Sequence, residues 1–137
     1  MSDLIESIKQ AYQEPEQAAH SAKVHRLFLN NLFILPVKKK SNKEDEPEAL
    51  FITEGDNHFL PIFSEDIFFD DWAKELASEM DKLKITGKDI VIGAGETSHL
   101  CLDISQPHYK EFDPSEIVRL KQVVSKLERI AKGTAAK

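Results

Sequence analysis

Apolar side chains recur at steps of three and four near the N-terminus, where Leu4, Ile5, Ile8, Ala11 and Tyr12 share one helical face. Ser2 or Asp3 is placed to cap that helix. Pro15 disfavours a helical Glu14, yet it suits the first turn of a new helix, where its missing N–H would have no partner. The pattern predicts this second helix over about residues 16–30, with Ala18, Ala19, Ala22 and Leu29 suited to it and Val24, Leu27 and Phe28 along its length. Residues 32–37 then read Leu-Phe-Ile-Leu-Pro-Val. A continuous apolar run of strand length fits a strand buried on both faces. Pro36 cannot donate a ladder hydrogen bond and belongs at the strand's end or at an edge.

Residues 38–48 are polar and charged and read as the least ordered internal stretch. Two apolar runs, 49–53 and 58–63, flank Glu54-Gly55-Asp56-Asn57 and predict a β-hairpin. Ser64 is a good N-cap, and Glu65 and Asp66 favour the positive end of a helix over about residues 65–82, with a break near Phe69. Ile67, Phe68, Trp72, Leu76 and Met80 form its expected buried stripe. Residues 87–92 fit a strand or a short helix, and Gly93 and Gly95 end either one. Residues 99–104 alternate as a strand does. The last helix has the clearest start: Asp113 as cap, Pro114 in the first turn and Glu116 three residues after the cap. Ile117, Leu120, Val124, Leu127 and Ala131 continue it, and residues 133–137 are expected to fray. No internal repeat is present.

These elements predict one α+β domain over residues 1–137, with a core of about 15–130. Two N-terminal helices, a mid-chain helix and a C-terminal helix pack on a small, mainly antiparallel sheet. A chain of 137 residues with 41% hydrophobic side chains can bury such a core without disulfides or metal. No apolar run approaches a membrane span, and the acidic, amphipathic N-terminus does not read as a secretory signal. The single cysteine, Cys101, cannot form an internal disulfide, so a reducing cytoplasm is the expected compartment.

The net charge of −6 is unevenly spread. Residues 44–81 hold one lysine against 13 acidic residues, a net −12, while each flank is +3. Phosphate repulsion makes that block a poor nucleic-acid surface. The run Lys38-Lys39-Lys40 is followed at once by Glu44, Asp45, Glu46 and Glu48 and reads as a solvated loop.

The chemistry-bearing residues form no familiar catalytic set. Gly93-Ala94-Gly95 lacks the third glycine of a dinucleotide loop, whose place Ser98 takes, and no Walker loop occurs. His20 and His25 are five apart, too far round a helix to share a metal, and no cysteine or histidine pair has zinc spacing. Asp56-Asn57-His58 does not supply a calcium loop. No metal or cofactor is expected. Asp66 and Asp70 lie one helical turn apart and read, with Asp71, as a solvated acidic face. Cys101 and His99 would share one side of a strand, a geometry that allows a nucleophile–base dyad and equally fits plain alternation. Trp72 reads either as a core anchor or as an aromatic rim beside the acidic patch.

Two segments are similar to a known family. Residues 60–64 (LPIFS), with Trp72 eight residues on, resemble the "lPvFtS…W" segment of the SseB (enhanced serine sensitivity) family N-terminal domain. Residues 109–117 (YKEFDPSEI), then Leu120, resemble its "yGKEFtpeEi…L" segment. Residues 32–37 and Gly87-Lys88-Asp89 are similar to its "l.vP" strand and "GrdL" turn. The chain departs at Tyr109, where the family has glycine, and at residues 103–107, where it commonly has Asn-Pro. The resemblance implies an α+β fold and a cytoplasmic bacterial protein, and it brings no established catalytic set.

The expected function is therefore a non-enzymatic protein-interaction or regulatory module. Asp66, Asp70, Asp71 and Glu75 would steer a partner with a basic surface, anchored on Phe69 or Trp72. The alternative is a small-ligand domain, amino-acid-like in its ligand, at Gly93, Gly95, His99 and Cys101. Pairing of two copies through the apolar stripe of the last helix is a further expectation.

Overall fold

The computed structural model describes residues 2–14, 18–39 and 48–136; Ser2 and residues 18–21 and 131–136 are described by backbone alone. The expectations for Pro15 and for most of the polar stretch 38–48 lie outside the described residues.

The chain opens with α1 (Ser2–Gln13) and α2 (Ala18–Asn30), as the periodicity predicts. Strand β1 (Leu32–Lys38) pairs antiparallel with β4 (Met80–Thr86), Leu35 opposite Leu83. A second sheet holds β2 (Ile52–Glu54), β3 (Asn57–Ile62), β5 (Ser98–Leu102) and β6 (Lys110–Phe112), side by side in that order. Its pairs are antiparallel except β3 with β5, which run parallel. Parallel neighbours need a long crossover, and the chain supplies it with α3 (Asp66–Ala73), β4 and α4 (Gly87–Gly93). The helix α5 (Pro114–Ala136) closes the domain. The fold is α+β with mainly antiparallel pairing.

β1 joins the two sheets. Ile34 and Phe63 exchange backbone hydrogen bonds of 2.8 and 3.0 Å, and Val37 bridges Ala49. Phe33, Leu35 and Val37 enter the main core with Leu4, Ile8, Phe28, Leu100, Phe112 and Leu120. Ile34 enters a second cluster with Phe63, Phe69 and Ala73. β1 is thus buried on both faces. Pro36 stands near its end, where its carbonyl accepts from the Leu50 N–H at 3.0 Å.

The mid-chain segment differs from the single helix expected over residues 65–82. α3 stops at Ala73 because Lys74 adopts φ 52, a left-handed conformation; a 3-10 turn (Lys74–Glu79) and then β4 follow. The buried face is Phe69 and Ala73, while Ile67 and Leu76 of the expected stripe are exposed. Ser64 does not cap the helix: Glu65 stands at the cap position without a side-chain bond. Residues 87–92 resolve as helix, capped by Thr86 Oγ1 accepting from Asp89 N–H at 3.2 Å. The strand expected over 99–104 is β5, ending at Leu102. α5 continues through Gly133 to Ala136 rather than ending before it. Among the described residues, no helix is long and apolar enough to cross a membrane.

Gly87 is required where α4 meets α2. A Cβ there would stand 2.0 Å from the Phe28 carbonyl oxygen, and its N–H bonds Asn31 O at 3.0 Å. Backbone cannot yield as a flexible side chain can. Gly87→Ala is expected to lower stability by about 1–3 kcal/mol through overpacking. Gly93→Ala, with open space around it, is expected to be neutral or to stabilise by up to about 1 kcal/mol. Urea unfolding of the two variants beside the wild type measures the contrast.

Candidate functional site

The acidic face lies on α3 and the 3-10 turn after it. Asp66 and Asp70 are exposed and share Lys82 of β4, at 3.1 and 3.8 Å. Lys82 also stands 4.9 Å over the Phe69 ring. The hydrogen bond and charge of Lys82, with Lys84 behind it, hold the Asp66 carboxyl below its ordinary value. Asp71 accepts from Gln106 Nε2 at 3.4 Å. Among the described residues, no ion pair involves Asp71 or Glu75, and both side chains are exposed. Two apolar side chains accompany them: Ile67 is 60% exposed and Leu76 58%.

The structure separates the two expected anchors. Phe69 is 0% exposed, packed edge-on against Phe63 in the second core cluster. It cannot meet a partner, because its phase on the helix puts it inward with Ala73. Trp72 is half-buried, 5.3 Å from the Phe63 ring, so it serves the core and still shows an edge.

A buried carboxylate fixes this face to the sheet. Asp103, after β5, adopts φ 55 and accepts from Ser64 N–H at 2.8 Å and Ser64 Oγ at 2.6 Å. His108 Nε2 lies 2.8 Å from the same carboxylate, and its ring meets Phe68 of α3 edge-on. This is where the Ser64 hydroxyl goes instead of capping α3. Serine and histidine both address the aspartate and not each other. The trio ties the loop after β5 to the start of α3.

The alternative ligand residues fall at the end of α4, in the connection after it and on β5. Gly93 ends α4, and Gly95 N–H donates to Ser98 Oγ at 3.1 Å in the connection that follows. His99 and Cys101 do share one side of β5. His99 Nδ1 engages Glu111 Oε2 at 2.9 Å, and its ring stacks on Phe59. Cys101 is 4% exposed, and burial pushes its thiol up, against a smaller opposing effect of its hydrogen bond with Tyr109. A reactive cysteine needs the reverse shift and an open approach. The Tyr109 hydroxyl, also raised by burial and by Cys101, donates to Glu111 Oε1 at 3.3 Å.

A second polar cluster escaped the sequence reading. Glu116, in the first turn of α5, meets His25 of α2 at 2.8 Å and Lys110 of β6 at 2.9 Å. Asp113 caps the helix as expected, accepting from Glu116 N–H at 2.9 Å. The Glu116 side chain does not reach back to complete a capping box; it is spent on His25 and Lys110. The only sequence signal was its position three residues after the cap, which pointed to capping. Tyr12 of α1 donates to the Tyr109 carbonyl beside this cluster. Among the described residues, no group of His, Cys, Asp and Glu is arranged to hold a metal ion.

Burial alone would raise the Glu116 carboxyl, but the hydrogen bonds from His25 and Lys110 outweigh it and hold the carboxyl below its ordinary 4.5. A depressed carboxyl contributes stability above its unfolded value and loses it as pH falls through the folded one. The stability difference between wild type and Glu116→Gln is therefore expected to shrink as pH falls below 4.5 through the folded carboxyl's range. Urea titrations at stepped pH check this. Asp103→Ala, which strands the buried Ser64 N–H, is expected to cost about 1–3 kcal/mol. Asp103→Asn, which tolerates the left-handed backbone, should cost less.

A family model described as the SseB protein N-terminal domain matches residues 5–119. No curated protein and no solved structure matches the chain.

Proposed function

We propose that this chain, which belongs to the SseB protein N-terminal domain family, is a non-enzymatic protein-interaction module that receives a basic partner surface on its α3 face. One observation carries the reading: Ile67 and Leu76 stand exposed beside Asp70, Asp71 and Glu75. Burying one such aliphatic side chain contributes roughly 1.5–3 kcal/mol. The carboxylates speed encounter with a cationic surface and fix its orientation. Trp72 adds an aromatic edge to that rim, a residue type common at binding hot spots. A partner carrying Lys and Arg around an apolar centre fits this face.

Affinity capture from a native cell extract, read by mass spectrometry, tests the reading. Wild type runs beside Asp70→Lys with Asp71→Lys, and beside Ile67→Ser, which leaves the charge intact. The expected outcome is a protein held by wild type and lost by both variants, with an association rate that falls as salt rises. An unchanged list from the folded double variant overturns it.

Two copies are also proposed to pair through α5. Val123 and Leu127 are exposed on it one helical turn apart, a stripe suited to a second helix. Sedimentation velocity is expected to show a dimer that Leu127→Glu converts to monomer.

A further inference from the structure

A cavity of about 160 Å³ opens between α1, α2 and the start of α5. Ile8, Ala11 and Val24 form its apolar wall, and Tyr12 stands at its mouth. Its polar end is the cluster of His25, Lys110 and Glu116. These three side chains are only 16%, 21% and 14% exposed.

The charge of the lysine–glutamate pair selects the ligand. Lys110 is a cation and Glu116 is held ionised, so the pair sums to zero. A ligand of net charge would leave that charge uncompensated in a largely desolvated site, which is costly. A net-neutral ligand avoids this cost. Among the described residues, the cluster also keeps unused bonding capacity. The Lys110 ammonium has three protons, of which two go to Glu116 Oε1 and the Glu111 carbonyl at 3.2 Å. The Glu116 carboxylate offers about four lone-pair positions, and two are taken by His25 and Lys110. A charged donor and a charged acceptor thus stand 2.9 Å apart at one end of an apolar pocket.

We propose that this cavity binds a free α-amino acid with a small aliphatic side chain. Its carboxylate meets Lys110, its ammonium meets Glu116, and its side chain lies against Ile8, Ala11 and Val24. A carboxylate and an ammonium on one carbon match the spacing of the lysine–glutamate pair. The size sets the side chain: a dry cavity of about 150 Å³ holds a benzene ring, so a branched aliphatic tail fits with its head group at the polar end. The site is separate from the α3 face and from the glycines after α4.

L-Leucine is the probe, with 4-methylpentanoate, which lacks the ammonium, and isopentylamine, which lacks the carboxylate, as its truncated analogues. Calorimetry on the wild type is expected to show leucine binding at least tenfold tighter than either analogue. Methyl NMR is expected to show leucine shifting the Ile8 and Val24 signals. Glu116→Gln should weaken leucine more than it weakens 4-methylpentanoate. Ala11→Leu, which fills the cavity, should abolish binding, whereas Asp70→Lys with Asp71→Lys should leave it unchanged. Three results overturn the proposal: no leucine binding at millimolar concentration to the folded wild type, equal affinity for leucine and 4-methylpentanoate, or leucine shifts confined to residues away from Ile8 and Val24. The wild-type arms need no variant, so a misfolded substitution does not obscure the answer.

Discussion

Strand β1 has no solvent side, and this constraint organises the domain. Its odd positions, Phe33, Leu35 and Val37, need one apolar layer, and Ile34 needs another. Helices α1, α2, α4 and α5 supply the first and α3 the second. A strand buried on both faces usually lies inside a parallel sheet. Here it is reached differently: β4 takes one edge, and the isolated bridges to Phe63 and Ala49 take the other. Two small sheets are thereby joined through β1, and neither has to be large.

Burying that much apolar surface brings polar groups inside, and two carboxylates resolve the problem. Asp103 satisfies the backbone and side chain of Ser64 and holds His108. Glu116 gathers Lys110 and His25. Each joins segments remote in sequence, and each would be costly to leave half-satisfied. They differ in access. Asp103 is fully enclosed, so its role is to fix the β5–β6 loop against α3. Glu116 borders a cavity, so its unused lone pairs can meet a visitor. The same chemistry gives a structural node in one place and a candidate site in the other.

The local elements were legible where one pattern dominated: α1, α2 and α5 by their 3–4 spacing, β1 by its apolar run, the hairpin by its turn residues. The mid-chain helix misled because residues 65–80 carry apolar groups at several phases at once. Ile67, Phe68, Phe69, Trp72, Leu76 and Met80 admit more than one helical face, and the left-handed turn at Lys74 has no sequence mark such as glycine. β4 does alternate, Lys82-Leu83-Lys84-Ile85, but the signal is short and sits directly after helical spacing. β6 is three residues long, below what periodicity can detect. The acidic face was visible as composition; that Lys82 would answer Asp66 and Asp70 was not, because the helix expected over residues 65–82 takes in the start of β4 through Lys82. The cluster of His25, Lys110 and Glu116 spans most of the chain with no motif spacing, and only packing brings it together.

The segment 110–112 shows why a short motif can carry so much of a fold. Alternation on β6 sends Lys110 and Phe112 to one side and Glu111 to the other. Phe112 reaches the core and packs on Phe28 at 4.5 Å. Lys110 lies 4.7 Å over the same Phe112 ring before turning to Glu116, so its charge approaches the core edge while remaining paired. Glu111 takes His99 on the opposite side. Three consecutive residues thus fix a core contact, the polar end of a cavity and the outer face of the sheet. A change at Lys110 would disturb the Phe112 ring as well as Glu116, since it contacts both. That coupling explains how residues that read as a family signature, with no reaction attached, still constrain the structure: each position answers to a different neighbour, and no single substitution serves all three.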